Sequence, residues 1–331
     1  MSEILAFESY HPLVNVAVVV ITIIIVGFGA TSMVEAASRI AKRLGVSELI
    51  IGLTVVAFGT SAPEFAVTLY SAFEGQGDIS VGNIVGSNIF NLGFILGGCA
   101  LVRAIPTSRK LLQRDGFVLG GATVLILALV GWDLNLGRKD GILLFFLLIV
   151  YLVYLFKNRH DHEAVEAEHH AGGDADETKT LVHDSLFLFF GLVGIVGGAF
   201  IMVESATALA RSMGISDWVI AVTIVAAGTS APEFATSLAG VLKGRYEISA
   251  GSLIGSDIFN LLGVLGVAGM LRPMDILPEA RMSLYALCAM VFLVLYFIKT
   301  GWKVSRLEGG ILVIIALLRW VFDFSQQGPT G

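Results

Sequence analysis

The chain has 331 residues, of which 56% are hydrophobic and 15% charged, and its mean hydropathy is +0.83. A soluble domain carries about 25% charged residues and could not bury this much apolar surface. The net charge of −6, without a basic patch, argues against nucleic-acid binding, and two cysteines are too few for a disulfide scaffold. The composition therefore predicts a membrane protein rather than a soluble enzyme or a disordered chain.

Long apolar runs follow one another along the chain. A helix needs about 20 apolar residues to cross the hydrocarbon core of a bilayer. The runs are continuous, whereas strands of a membrane β-barrel alternate apolar and polar residues. We therefore expect an all-α, polytopic membrane protein whose first run is a permanent span rather than a cleaved signal peptide. The ten predicted transmembrane helices cover 13–37, 49–72, 80–102, 115–132, 140–157, 184–208, 218–242, 249–271, 281–298 and 307–324.

One hydrophilic segment divides the chain near its middle. Residues 158–183 are polar and acidic and hold five of the six histidines. We interpret this segment as a solvated linker between a first five-helix repeat, 1–157, and a second, 184–331. The alternative is a metal-binding loop formed by His160, His162, His169 and His170. Their spacing matches no common metal site, which favours the linker.

The basic residues predict how the protein sits in the membrane. With the amino terminus outside, 15 of the 21 Lys and Arg residues fall in cytoplasmic segments, as the positive-inside rule requires. We therefore expect a multi-pass protein of the plasma membrane, the inner membrane of a bacterium. Both termini would lie outside and the acidic linker in the cytoplasm.

The two halves of the chain repeat each other. Residues 52–98 align with 221–267 at an offset of 169, with 24 identities in 47 positions. The shared motifs are GTSAPEFA (59–66 and 228–235) and G-S-x-I-F-N-L (86–92 and 255–261). Since each repeat has an odd number of spans, the second copy must enter the membrane from the opposite side. We expect inverted-topology repeats, with which secondary transporters build a substrate site at mid-membrane.

The GTSAPEFA motif places polar groups beside a weak point in a helix. Gly59 and Pro63 both disfavour a continuous helix. Such a break survives in lipid only where protein covers it or a cavity adjoins it. Thr60 and Glu64 are four residues apart and share one helix face, with Ser61 beside them. The second copy repeats these groups as Thr229, Ser230 and Glu233.

The second motif adds further oxygen ligands. Its polar pairs, also four residues apart, are Ser87 with Asn91 and Ser256 with Asn260. Carboxylate, hydroxyl, amide and backbone oxygens suit Ca²⁺ and Na⁺ rather than Zn²⁺ or Cu²⁺. Two intramembrane glutamates balance one divalent ion or two monovalent ions, which is the equivalence that an exchanger needs. The neighbouring small residues, which we interpret as helix-packing contacts, are Gly82, Gly86, Gly251 and Gly255.

At these residues the chain resembles the cation/Ca²⁺ exchanger superfamily, and within it the prokaryotic sodium/calcium exchangers. GTSAPE with GNIVGSNIFN, and GTSAPE with GSLIGSDIFN, look like that family's two repeats. The resemblance implies a block of eight helices across which the first and sixth spans slide as two long tilted helices. It implies ion ligands at Thr60, Ser61, Glu64, Ser87, Asn91, Thr229, Ser230, Glu233, Ser256 and Asn260, with the backbone carbonyls of Ala57 and Ala226.

The chain departs from the family pattern at one ligand position. Some members carry Asp where this chain has Asn260, whereas its own second-half acid is Asp257, opposite Asn88 in the first half. Three helical residues turn about 300°, so Asp257 points about 60° away from Asn260. It would touch the edge of the site or a water path, or only bond neighbouring helices.

The favoured hypothesis is therefore antiport of Ca²⁺ against Na⁺, with no cofactor, no nucleic acid, no evident protein partner and the lipid bilayer as surroundings. The alternative is Ca²⁺/H⁺ antiport, because an unoccupied buried carboxylate favours its protonated form. A passive cation channel would have little need of inverted repeats. An intramembrane enzyme is disfavoured because no His or Lys lies inside a span to activate Ser61 or Ser230.

Overall fold

Helices make up most of the computed structural model, which describes residues 11–158, 180–214, 226–278 and 280–326. In the first half they are α1 (Pro12–Leu44), α2 (Glu48–Thr60), α3 (Ala62–Phe73), α4 (Gly77–Val102), α5 (Leu111–Gly116, continuing as Phe117–Asp133) and α6 (Arg138–Lys157). In the second half they are α7 (Leu181–Ser212), α8 (Ala226–Thr229), α9 (Ala231–Leu242), α10 (Tyr246–Leu271), α11 (Ala280–Gly301) and α12 (Arg306–Gln326). The histidines of the predicted linker at positions 160–170 lie outside the described residues.

Seven helices of the described chain are long and apolar enough to span a membrane, or eight if the bent pair α2–α3 forms one span. A membrane-spanning helical protein is thus confirmed, whereas this count does not confirm ten spans. The predicted seventh span begins in 215–225, outside the described residues. The predicted tenth is a helix, α12, but it is not among the seven.

Two short antiparallel ladders join the halves of the chain. Strand β1 (Ile105–Pro106) pairs with β4 (Lys303–Val304), and β2 (Asn135–Leu136) pairs with β3 (Met274–Asp275). Each ladder takes one strand from each half. The loops that follow α4 and α10 are therefore held against loops of the opposite repeat.

Glycines allow several helices to pack backbone against backbone. A Cβ atom at Gly97 of α4 would lie 2.8 Å from the Gly309 carbonyl of α12, and one at Gly266 of α10 would lie 3.2 Å from the Gly141 carbonyl of α6. Gly97 and Gly266 are equivalent at the offset of 169, so both halves use the same close contact.

The packing role predicted for the small residues of the second motif holds in one half. Gly251 and Gly255 of α10 lie against Leu49 and Leu53 of α2. At Gly82 and Gly86 no atom of the described chain lies within 4 Å of an added Cβ. The offset of 169 pairs Leu49 and Leu53 with positions 218 and 222, which lie outside the described residues.

The long helices α1 and α7 cross antiparallel and share a small core with α2, α9 and α10. Gly29 approaches Gly191, while Gly198 approaches Val26. At one end, Asp184 of α7 accepts hydrogen bonds from Arg39 Nε at 2.7 Å and Arg43 Nε at 3.0 Å of α1. The fully buried Asp184 side chain therefore ties the two helices together.

We expect Asp184→Ala to lower the midpoint temperature of thermal unfolding of the purified protein strongly. Hydrogen bonds to charged groups are worth about 1.5–3 kcal/mol each, and the change removes those from Arg39 and Arg43, whose side chains are 20% and 29% exposed. The matched control is Glu35→Gln, which breaks the 2.6 Å pair of Glu35 with Lys243, whose side chains are 43% and 44% exposed. An exposed pair contributes at most about 1 kcal/mol. Equal losses in the two variants would contradict the role of Asp184.

Candidate cation-binding site

The two GTSAPEFA motifs form equivalent breaks. Helix α2 ends at Thr60, Ser61 has φ −75° and ψ 6°, and α3 continues at an angle of 49°. Ser230 has φ −89° and ψ 9° between α8 and α9. The proline two residues after each serine lacks a backbone donor, which explains why the helix turns here in both copies.

Helix α7 covers both breaks. A Cβ atom at Gly59 would lie 2.6 Å from the Leu192 side chain, and one at Gly228 would collide with Val203. Both contacts come from α7, and the two glycines let this helix approach closely at these points. The breaks thus meet the requirement that irregular backbone in a membrane be covered by protein.

The glutamates of the two motifs are held by serines of the opposite half. Ser61 donates to Glu233 Oε1 at 3.3 Å, and Ser230 donates to Glu64 Oε1 at 3.1 Å. Both glutamate residues have no solvent exposure. The two contacts are related by the repeat offset, so the breaks face each other across the middle of the protein.

The remaining hydroxyls surround these carboxylates. Thr60 and Ser256 lie 3.3 Å apart, and both donate to the Ala57 carbonyl, at 3.3 and 3.4 Å. Ser256 also lies 3.5 Å from Glu233 Oε1. In the other half, Ser87 donates to the Ile84 carbonyl of its own helix at 3.1 Å. Thr229 and Ala226 lie in α8, at the positions equivalent to Thr60 and Ala57.

A buried amide network joins α4 to α10 beside the glutamates. Asn91 Nδ2 donates to Asp257 Oδ1 at 3.0 Å, and Asn88 Nδ2 donates to the Asp257 carbonyl at 3.1 Å. Asn260 Nδ2 donates to Asn88 Oδ1 at 3.0 Å and lies 3.5 Å from Ser87 Oγ. Asp257 therefore bonds the neighbouring helix α4, at Asn91 and Asn88, and one of these is a predicted ligand. Asn88 was not predicted, although an amide in an apolar span was a signal.

Several buried oxygen atoms near the breaks lack a hydrogen-bond donor. Within the described residues these unpartnered acceptors are Glu64 Oε2, Glu233 Oε2, Asn91 Oδ1, Asn260 Oδ1 and Asp257 Oδ2. No Lys, Arg or His of the described chain forms an ion pair with these acids. Buried polar atoms are normally satisfied, and a buried carboxylate without a counter-charge is costly. A bound cation would satisfy these oxygens.

The donor set is chemically that of a hard cation. In the described part of the chain no three His, Cys, Asp or Glu side chains converge as a metal-binding group. The candidate ligands are instead carboxylate, amide, hydroxyl and backbone oxygens together, as Ca²⁺ and Na⁺ prefer. Asn91 opens a π-helical segment, Asn91–Leu96, and Asn260 lies in another, Phe259–Val264. Such segments are frequent at functional sites.

Comparisons with known proteins cover both halves of the chain. Residues 14–157 and 183–323 match the family described as sodium/calcium exchanger protein. The sodium/calcium exchanger MaX1 of Methanosarcina acetivorans is 31% identical, over 91% of this chain and 96% of the relative. Inner membrane protein YrbG of Escherichia coli is 34% identical, over 93% and 98%. A solved structure of the sodium-calcium exchanger NCX_Mj is similar with a TM-score of 0.81 and 30% identity, over 93% and 98%.

Proposed function

The chain belongs to the sodium/calcium exchanger protein family, and we propose that it moves Ca²⁺ against Na⁺ at a site between the two GTSAPEFA motifs. Membership supports an exchanger-family antiporter rather than an enzyme. The proposal adds Na⁺ rather than H⁺ as the counter-ion, the plasma membrane as its location and the residues that bind the ions.

One observation carries the proposal. Glu64 and Glu233 are fully buried, each has one oxygen held by a serine of the other half, and each has a second oxygen without a donor in the described chain. The serine contacts orient the carboxylates, and the free oxygens are left for a ligand. Ca²⁺ binds 6–8 oxygens, which the hydroxyl, amide and Ala57 carbonyl oxygens around the glutamates can supply.

Charge explains why this site would exchange ions rather than leak them. One Ca²⁺ or two Na⁺ neutralise the charges of Glu64 and Glu233, whereas an empty site keeps them. Moving uncompensated charge through the low-dielectric interior is costly. The loaded protein therefore changes its access more readily than the empty one, and transport of one ion becomes coupled to transport of the other.

The crossed helices α1 and α7 are the elements that would switch access. They share a small core, and α7 covers both breaks. In the proposed arrangement ten spans form two inverted repeats with both termini outside. The α1–α7 pair then slides across the remaining helices and exposes the mid-membrane site to each side in turn.

Purified protein in liposomes tests the counter-ion. Vesicles loaded with Na⁺ and diluted into Na⁺-free buffer are expected to accumulate radioactive Ca²⁺. Vesicles loaded with K⁺ at the same pH, the control, should not. Protein-free vesicles measure leakage.

Two outcomes would overturn the proposal. Uptake driven by a pH gradient in Na⁺-free vesicles, with no response to Na⁺, would assign Ca²⁺/H⁺ exchange instead. Uptake that needs no counter-ion gradient on either side would indicate a passive channel.

A further inference from the structure

Asp257 is a third buried acid beside the site, and the proposed exchange does not assign it to an ion. It lies on α10 without solvent exposure. Its carboxylate accepts a hydrogen bond from Asn91, and its backbone carbonyl accepts one from Asn88. It therefore contacts one predicted ligand directly and a second asparagine that leads to the other predicted amide ligand.

These contacts determine which way the asparagine side chains face. A carboxylate oxygen and a backbone carbonyl oxygen only accept hydrogen bonds. The amide atom of Asn88 that faces Asp257 must therefore be a nitrogen, and so must that of Asn91 while the Asp257 carboxyl is ionised. With its nitrogen engaged, Asn88 turns its oxygen the other way, toward Asn260 at 3.0 Å. The facing atom of Asn260 must in turn be its nitrogen.

Because the amide nitrogens of Asn91 and Asn260 are engaged in these hydrogen bonds, their amide oxygens face away from the network. Asn91 Oδ1 and Asn260 Oδ1 are buried and have no donor within the described chain, like Glu64 Oε2 and Glu233 Oε2. An amide turned the other way would present an NH₂ group, which carries partial positive charge and repels a cation. The network thus presents oxygen rather than nitrogen to the site.

We propose that the side chain of Asp257 is a positioning residue for ion binding, which orients Asn91, and that the side chain of Asn88 orients Asn260. This inference rests on the proposed function, since it takes the two amide oxygens as ligands. Asn88 has the equivalent role in the first half, because the offset of 169 pairs it with Asp257. An asparagine at 257 keeps an acceptor for Asn91, so the inference concerns an acceptor oxygen rather than a charge.

Four variants of the full chain separate positioning from charge. Ca²⁺ binding to the purified protein is measured by titration calorimetry in Na⁺-free buffer, using the metal alone as the probe. Asp257→Leu and Asn88→Leu are similar in size to the unaltered residues but lack the side-chain acceptor oxygen. Each is expected to raise the Ca²⁺ dissociation constant about tenfold. Asp257→Asn is expected to restore it to within about threefold of the unaltered protein. The exchanged pair Asn88→Asp with Asp257→Asn should do the same.

The control is Thr123→Val, which removes a buried hydroxyl that bonds its own helix at the Leu119 carbonyl, 2.7 Å away. It should alter the thermal transition without altering Ca²⁺ affinity, as a merely structural change would. If a leucine variant fails to fold, Asp257→Asn and the exchanged pair still overturn the inference when either weakens Ca²⁺ binding about tenfold.

Two results would overturn the inference. Unchanged affinity in folded Asp257→Leu would remove the positioning role, and weakening of about tenfold in Asp257→Asn would assign the effect to charge. Failure of the unaltered protein to bind Ca²⁺ would instead contradict the proposed function. Failure of the positioning role and failure of the proposed function are therefore distinguishable.

Discussion

Glu64→Gln and Glu233→Gln are each expected to abolish Na⁺-driven Ca²⁺ uptake while the protein remains folded. The glutamine oxygen can still accept from the serine of the other half, so the local contacts at 3.1 and 3.3 Å survive. The new NH₂ group, however, replaces the oxygen that has no donor, and half of the glutamate pair's charge is lost. Removing a buried charge partner costs about 3–5 kcal/mol, or about a hundredfold or more in affinity.

Initial rates of radioactive Ca²⁺ uptake into Na⁺-loaded vesicles measure the effect, and thermal transitions in detergent verify folding. Glu74→Gln is the matched control. It makes the same change at an exposed residue where α3 ends, and uptake should be unchanged. Full uptake by either buried variant would remove that glutamate from the mechanism.

Gly255→Ala is expected to have the second large effect, although it adds only a methyl group. That methyl would lie 2.7 Å from the Leu53 backbone and 2.8 Å from the Ala57 Cβ. Backbone atoms cannot swing aside, so α10 and α2 must separate. Overpacking of this kind costs about 1–3 kcal/mol. Since the Ala57 carbonyl contacts Ser256 beside the glutamates, Ca²⁺ binding should weaken as well as stability.

Thermal transitions and Ca²⁺ titrations of Gly255→Ala are compared with those of Gly98→Ala. Gly98 is also in a helix, but no atom of the described chain lies within 4 Å of an added Cβ there. The control should therefore match the unaltered protein in both measurements. Normal Ca²⁺ affinity in a destabilised Gly255→Ala would show that the α2–α10 contact supports the fold but not the site.

Much of the fold followed from the sequence because lipid leaves few choices. Long apolar runs must be helices, and a polar side chain within them needs a partner. These rules pointed to Glu64, Glu233 and the helix breaks, and the resemblance to the exchanger family is confirmed. The ion-binding roles of the individual residues stay predictions.

Contacts between the two repeats could not be predicted from the sequence. The spacing of Ser61 and Glu64 puts them near one helix face, yet it does not reveal that Ser61 bonds the glutamate of the other repeat. Likewise, the turn angle left three roles open for Asp257, and only the structure shows that it bonds Asn91 of the neighbouring helix α4.

The sequence alone thus determined the kind of protein and the chemistry available to it: a duplicated, helical membrane chain with acidic and amide oxygens at breaks. These properties are local, since they depend on hydropathy, helical period and residue type. Only the tertiary structure decided which of these oxygen atoms accept hydrogen bonds from the protein and which have no donor within the described residues. That depends on which side chains from the two halves come within hydrogen-bond distance of one another.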